Sequence, residues 1–452
     1  MQQGREDERK LVEKSMKISA ILKNKIVKNA GWLIVGRVIH MILSFLIGLL
    51  TARYLGPSNY GLINYASAYA TFFTAFCTLG INSVIVKNFI DHPEEEGETI
   101  GTTIVLRFVS SLLSLLTIVG FVAVIDSNEP VTVCVVALYS IGLLFQIFDT
   151  FNYWFQSKLL SKYYAVATLI AYILVSAYKA VLLITEKSVQ WFAVSNAIDY
   201  FIIAFIVFLF YKKNNGPKLS FSVKKSKELL SLSVSYILSG LMVAIYAATD
   251  KLMLKQMMDE STVGYYSLAV SISTIWAFVL SAVIDSMKPR IMELHNTDKE
   301  EYLLMNRRMY AIVFYVSVVA SLGITVIAPF FIRIVYGEAY LPAVTPLRIV
   351  VWYVAFSYLG VARDAWIVCE RKQKYLKYIY LLSVILNIVL NAILIPFIGA
   401  SGAAVASLAT QISTVLVFPL FFKELRANVM LIVNAILLKN VLPEKFIHRK
   451  HF

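Results

Sequence analysis

The chain has 452 residues, of which 59% are hydrophobic and only 15% charged, and it carries a formal net charge of +14. Soluble domains average roughly 45–50% apolar and about 25% charged residues, so water is excluded as the only solvent and lipid is the one that fits. The apolar runs are long and continuous, which points to helices and excludes a barrel of short alternating strands.

A basic balance in a soluble protein would suggest nucleic acid. Here the Lys and Arg sit between the apolar runs, where they set topology and meet anionic lipid heads. No nucleic-acid partner is expected.

Residues 1–28 form a basic tail, too long and too charged for a cleavable signal. Leu11, Val12, Ile18, Ile21, Leu22 and Ile26 alternate with lysines there, either as an interfacial helix or as a disordered tail. A span needs roughly 20 apolar residues. Twelve candidates follow: 29–50, 62–86, 100–125, 131–152, 163–184, 189–211, 229–250, 262–287, 309–332, 345–369, 376–395 and 400–422. The segment Val429–Leu438 is too short to cross and reads as a membrane-surface helix.

With both termini inside, the outer loops hold six cations, Arg53, Lys187, Lys251, Lys255, Arg333 and Arg348. Apart from a few within spans, the rest of the 42 Lys and Arg fall in inner loops and tails, as the positive-inside rule requires. The expected location is a cell membrane, multi-pass, with cytoplasmic termini.

The Lys-rich stretch 212–228 divides six spans from six. Tyr60-Gly61 and Tyr65-Ala66 reappear, at an offset of 203, as Val263-Gly264 and Leu268-Ala269. Six spans per half give both halves one orientation, so the repeat axis lies along the membrane normal. The expected fold is an all-α integral membrane protein of about twelve helices in two six-helix bundles related by that pseudo-two-fold. Residues 29–211 and 229–423 form the bundles, and 424–452 a tail with a short interfacial helix.

The second span carries a polar stripe, Tyr60, Asn64, Ser67, Thr71, Thr74, Thr78 and Asn82, at steps of three and four. Such a face meets a wet cavity or another helix. Ser267, Thr274, Ser281 and Asp285 repeat it in the eighth span, which favours the cavity.

A charge inside the bilayer costs at least about 2.5–3.5 kcal/mol, so intramembrane ionisable residues line pathways or pair. Arg37, Arg107, Lys179, Asp149, Asp199, Asp250, Asp285, Arg363 and Asp364 are such residues. Arg37 and Arg107 are read as attracting an anionic headgroup, because the guanidinium fork suits phosphate. The substrate-binding candidates are Arg37, Arg107, Asn64, Thr71, Lys179, Asp285 and Arg363; the coupling candidates are Asp199 and Asp250. A structural ion pair of Asp199 with Lys179 or another cation is an equal alternative.

Cys77, Cys134 and Cys369 lie in apolar runs without metal or redox spacing and read as small buried residues. The five histidines form no metal constellation. No cofactor is expected, and no phosphate loop, dinucleotide turn, zinc motif or nucleophile elbow is present, so no catalytic residue is assigned.

Thr51-Ala-Arg-Tyr-Leu-Gly-Pro-Ser-Asn-Tyr-Gly61 resembles a signature of polysaccharide repeat-unit flippases. So do Asp250-Lys251, Val263-Gly-Tyr-Tyr-Ser-Leu-Ala269, Ala328-Pro329, Tyr336-Gly-Glu-Ala-Tyr340 and Gly399-Ala-Ser-Gly-Ala-Ala404, in order along residues 29–425. The resemblance places the chain in the multidrug/oligosaccharidyl-lipid/polysaccharide exporter superfamily. It implies a lipid-linked oligosaccharide substrate, on a polyprenyl phosphate or pyrophosphate, moved by alternating access through a cationic cavity for O-antigen or capsule synthesis. Membrane lipids, a coupling proton or sodium ion, and a polysaccharide polymerase or ligase are the implied partners. The rivals are a cation-coupled multidrug antiporter, which would favour an acidic lumen, and a membrane glycosyltransferase or polymerase, which would need a large outer loop. A lipid-bound scaffold is a third.

Overall fold

The computed structural model describes residues 43–439, and these are helical with no strand among them. The basic tail, Arg37 and the lower part of the first span lie outside the described residues. Residues 43–78 (α1) form two helical arms joined where Gly56 takes φ +68°, a left-handed turn that glycine tolerates. The second span continues past a break at Leu79 and Gly80, both at positive φ, into α2 (Asn82–Asp91).

The N-terminal half continues with α3 (Glu96–Ile125), α4 (Pro130–Ser140), α5 (Gly142–Phe145), α6 (Thr150–Ser157), α7 (Lys162–Ile184) and α8 (Val189–Lys213). The fourth span is thus assembled from α4 to α6, with a 3₁₀ turn over Gln146–Asp149. Pro130 starts α4 at a position where its missing N–H costs nothing.

The C-terminal half has α9 (Val223–Met257), α10 (Glu260–Thr274), α11 (Phe278–Thr297), α12 (Lys299–Val335), α13 (Val344–Val350), α14 (Tyr353–Cys369), α15 (Leu376–Ile412) and α16 (Arg426–Ile436). Three helix starts are fixed by side-chain caps. Ser222, Asp259 and Asp298 accept from the N–H groups of Lys225, Thr262, and Glu300 with Glu301.

Six helical runs are long and apolar enough to cross a membrane, and eight if each bent pair, α10 with α11 (43°) and the run 338–350 with α14 (42°), is one span. The run Gln373–Phe421 reverses at Ile398 and Gly399 (φ +52°), so it supplies the eleventh and twelfth spans. The first span extends beyond the described residues, the second is broken at Gly80, and the seventh is the apolar part of α9, residues 229–250. The twelve-helix expectation therefore holds. In the six continuous runs only 22–39% of the most apolar window is buried. The remaining apolar surface needs an apolar solvent.

Each half has its own core. Tyr65, Ile118, Val136 and Phe192 centre one N-terminal cluster, and Ile85, Ile100, Phe151 and Val207 another. Tyr310, Leu359, Trp366 and Ile432 centre the largest C-terminal one. Ala52 of α1 joins a C-terminal cluster with Tyr266 and Tyr340, so the first loop leans on the opposite half. Tyr340 donates to the Ala52 carbonyl at 2.8 Å.

The short helix expected over Val429–Leu438 forms as α16, and it packs on α12. Ile432 and Ala435 are fully buried, and Asn428 donates to the Tyr310 hydroxyl at 2.9 Å. Of the cysteines, Cys77 is buried and Cys369 partly so, but Cys134 is exposed. Its place on the outward side of α4 corrects the expectation for that residue: an apolar run in lipid has an outer face as apolar as its inner one.

Candidate functional site

The halves meet at the end formed by residues 51–65, 126–129 and 250–264. Gly61 and Gly264 cross there without side chains between them. Beside this crossing lies a charged cluster. Lys255 on α9 pairs with Glu129 (2.8 Å), Glu260 (2.9 Å) and the buried Asp126 (3.9 Å). Gln256 donates to Asp126 at 3.0 Å and to the Tyr65 hydroxyl at 2.7 Å, and Tyr65 donates to Asp126 at 2.8 Å. Because the partners come from both halves, the cluster latches them together. The hydrogen bond from Lys255 holds the Glu129 carboxyl below its ordinary value. Burial would lower Lys255, but its bonds to Glu129 and Glu260 outweigh that and raise it.

Below the crossing is a cavity of about 400 Å³ between the halves. Ser44 and Leu49 of the first span, Tyr60 of the second, Ser271 of the eighth and Tyr336 line it. It mixes hydroxyls with apolar wall, so it can replace part of the hydration of a polar head. One turn from Tyr60, Asn64 accepts from Lys251 at 3.2 Å across the halves. Asn64 is thus an expected site residue one helical turn from the cavity wall.

Asp250 lies within the C-terminal half and is 6% exposed. One carboxylate oxygen accepts from Asn391 (2.6 Å) and Asn387 (3.2 Å); the other accepts from Ser407 and Tyr266. Both arms of α15 and the start of α10 therefore converge on one anion. The Asn391 side-chain carbonyl is buried without a hydrogen-bond partner. A carboxylate among oxygen-bearing amides and hydroxyls is chemistry for a proton or a hard cation. Among the described residues no group of three or more His, Cys, Asp or Glu could hold a metal ion.

Residues 26–295, more than half of the chain, match the model of a family described as "Polysaccharide biosynthesis protein". The chain belongs to this polysaccharide biosynthesis protein family. The capsular polysaccharide biosynthesis protein CapF of Staphylococcus aureus is 20% identical over 420 residues, spanning 88% of this chain and 100% of the relative. Among solved structures, the lipid II flippase MurJ in an inward closed conformation superposes with a TM-score of 0.69 at 15% identity, over 93% of both chains. An inward-facing multidrug resistance MATE family transporter of the MOP superfamily gives 0.61 at 15% identity, over 89% of this chain and 99% of the transporter. The fold is that of this superfamily: twelve helices in two lobes.

The family member's other expected site residues lie apart. Arg107 on α3 is 2% exposed, inside the N-terminal lobe. It donates to Thr150 at 3.1 Å and to the Asn82 side-chain oxygen, and its guanidinium lies 5.9 Å from the Tyr153 ring centre. Lys179 on α7 feels the opposite charge of Asp199 on α8. Thr71 is exposed and bonds its own helix at the Ser67 carbonyl (2.8 Å), as Thr74 does at Ala70 (2.8 Å). Asp285 is exposed on α11. Arg363 is buried on α14 beside a second cavity, within the C-terminal lobe.

Lys251 and Lys255 read in sequence only as outer-loop cations, and Asn387, Asn391 and Ser407 carried no assignment. Asn387 and Asn391, one turn apart in an otherwise apolar span, were the available signal: two amides there imply a buried partner.

Proposed function

We propose that the protein carries an oligosaccharide linked to a polyprenyl phosphate or pyrophosphate from the cytoplasmic to the outer leaflet of the cell membrane, by alternating access of its two lobes. The observation that carries this reading is the partly polar cavity between the lobes, in a chain of the polysaccharide biosynthesis protein family. A sugar head cannot cross hydrocarbon alone, because each hydroxyl would lose its hydrogen bonds. The hydroxyls of Ser44, Tyr60, Ser271 and Tyr336 on the cavity wall replace those bonds while the lipid tail stays in the bilayer. CapF is named for capsular polysaccharide biosynthesis and MurJ for flipping lipid II, which supports a sugar–lipid cargo.

The basic loops and tails favour cytoplasmic termini, with the latch on the outer side. The lobes are residues 29–211 and 229–423, joined by 212–228. Arg37 draws the phosphate in. Asn64, Thr71, Lys179, Asp285 and Arg363 meet the head at successive stages, and Arg107 positions the break between the arms of the second span. Asp250 takes the coupling proton or sodium ion, with Asp199 as a second exchangeable carboxylate. A polymerase or ligase receives the product, and no catalytic step is assigned to the chain.

The test is reconstitution into vesicles with a fluorescent polyprenyl-pyrophosphate oligosaccharide, read by a membrane-impermeant quencher. Protein should bring the inner-leaflet pool outside at least tenfold faster than empty vesicles. Arg37→Ala should abolish the gain, and Asp250→Asn should remove its dependence on a proton or sodium gradient. Equal rates with and without protein would sink the proposal. Uptake of a cationic dye without sugar–lipid movement would favour the multidrug reading.

A further inference from the structure

The second cavity, about 300 Å³, lies within the C-terminal lobe between α9, α14 and the two arms of α15. Its wall holds Arg363 and Asp364 of α14, Tyr353, Tyr380, Gln411, and Tyr246 of α9. Arg363 is 2% exposed, no ion pair within 4 Å engages it among the described residues, and its Nε is buried without a hydrogen-bond partner. A buried guanidinium with no carboxylate within ion-pair distance is costly. Something must offset that cost, or the group is held ready for an anion.

The chain positions this arginine by a specific device. Residues Ser413–Val417 form a π-turn, in which the Phe418 N–H bonds the Ser413 carbonyl. Thr414 thereby loses its usual helical donor, and the next residue in the π register, Pro419, has no N–H to offer. The freed Thr414 carbonyl accepts from Arg363 Nη1 at 3.0 Å. Such π-turns recur at functional sites for this reason. The turn anchors one nitrogen of a side chain that lines the cavity.

Around the fork are three tyrosine rings, a carboxylate and an amide. Gln411 donates to the Tyr246 hydroxyl at 3.0 Å, which fixes both. Aromatic faces suit the C–H faces of a pyranose, and planar carboxylate and amide groups suit its hydroxyls. The guanidinium suits an acidic substituent.

We infer that this pocket holds one acidic sugar unit of the head group, a pyranose bearing a carboxylate or a phosphate, with the acidic group on Arg363. The inference rests on the flippase reading for its place in transport, but the pocket's binding can be read without transport.

The experiment is calorimetric titration of the full chain in lipid nanodiscs with methyl glucuronide, glucose 6-phosphate, methyl glucoside and inorganic pyrophosphate. An acidic sugar should bind at least tenfold tighter than methyl glucoside, and whichever acidic sugar binds names the substituent. Arg363→Gln should remove the preference. Asp364→Asn should strengthen it several-fold, by removing a like charge beside the anion, and this variant serves if Arg363→Gln does not fold. Equal binding of acidic and neutral sugars, pyrophosphate binding as tightly as either acidic sugar, or an unchanged preference in Asp364→Asn would each overturn the inference. Flipping without acidic-sugar binding would remove the pocket alone; acidic-sugar binding without flipping would remove the transport reading alone.

Discussion

Gly61 and Gly264 occupy equivalent places in the two halves and pack against each other's helix. A Cβ on Gly61 would sit 1.7 Å from the Glu260 carbonyl oxygen, and one on Gly264 would sit 2.1 Å from that of Pro57. Pro57 and Glu260 are themselves related by the offset of 203 that relates the two glycines, so the crossing obeys the pseudo-two-fold of the repeat. Backbone is what each added methyl would strike, and backbone cannot swing aside.

Gly61→Ala and Gly264→Ala should each destabilise this closed end by about 1–3 kcal/mol, the usual cost of overpacking. A thiol introduced at Ser271, in the cavity below, should then react faster with a membrane-impermeant reagent added from outside. Labelling rates equal to those of the Ser271→Cys parent would show that the crossing does not hold this end shut.

Lys255→Met should weaken the same closure. It would leave Asp126, with a side chain only 4% exposed, without its cation. Breaking a buried pair costs about 3–5 kcal/mol. Glu129 at 42% and Glu260 at 24% exposure are partly screened, so about 2 kcal/mol is expected. The midpoint of thermal unfolding in detergent should fall by several degrees. Restoration by the double variant Lys255→Met/Asp126→Asn would confirm that the unpaired carboxylate causes the loss.

The latch should also respond to pH. Glu129 is held below its ordinary 4.5, so its contribution is present above that value and lost as pH falls through the depressed one. Lys255 is raised above its ordinary 10.5, so its contribution is present below that value and lost as pH rises through the raised one. Closure should therefore be strongest between these limits and loosen under strong acid on the latch side. Thiol accessibility at the cavity, measured from pH 7 downward, should rise only at the acid end. Glu129→Gln should flatten the acid limb, and an unflattened limb would assign it to another group.

Arg107→Lys should act on stability first. The fork that spans Asn82 on α2 and Thr150 on α6 would become a point charge able to hold one of them. Loss of a buried charged hydrogen bond is worth about 1.5–3 kcal/mol. Correctly folded variant protein should still bind sugar–lipid within a few-fold of the parent. A loss of affinity with unchanged thermal stability would make Arg107 a substrate contact and not a positioning residue.

Much of the fold was legible in the linear pattern. Span lengths, the interruption at 212–228 and the repeated glycines follow from local composition and need no long-range knowledge. The candidate site was legible only in part. The polar stripe of the second span looked like a lumen face, yet Thr71 and Thr74 satisfy their hydroxyls on their own helix. Helical spacing tells which residues share a face; it does not tell what that face meets. The latch was less visible still, because Glu129 and Lys255 lie 126 residues apart and both read as loop-end charges.

The amino-acid order alone determined that lipid is the solvent, that about a dozen helices cross it and that the halves repeat, because those properties depend on local apolar length and on charge between runs. Tertiary structure alone decided the roles of two arginines that look alike in sequence. Arg107 is locked between α2 and α6, whereas Arg363 is held on a carbonyl freed by Pro419 and borders a cavity. The same held for Asp250, whose amide partner Asn391 stands 141 residues away. In a membrane the cost of a buried charge says that it must find partners, and only packing says which.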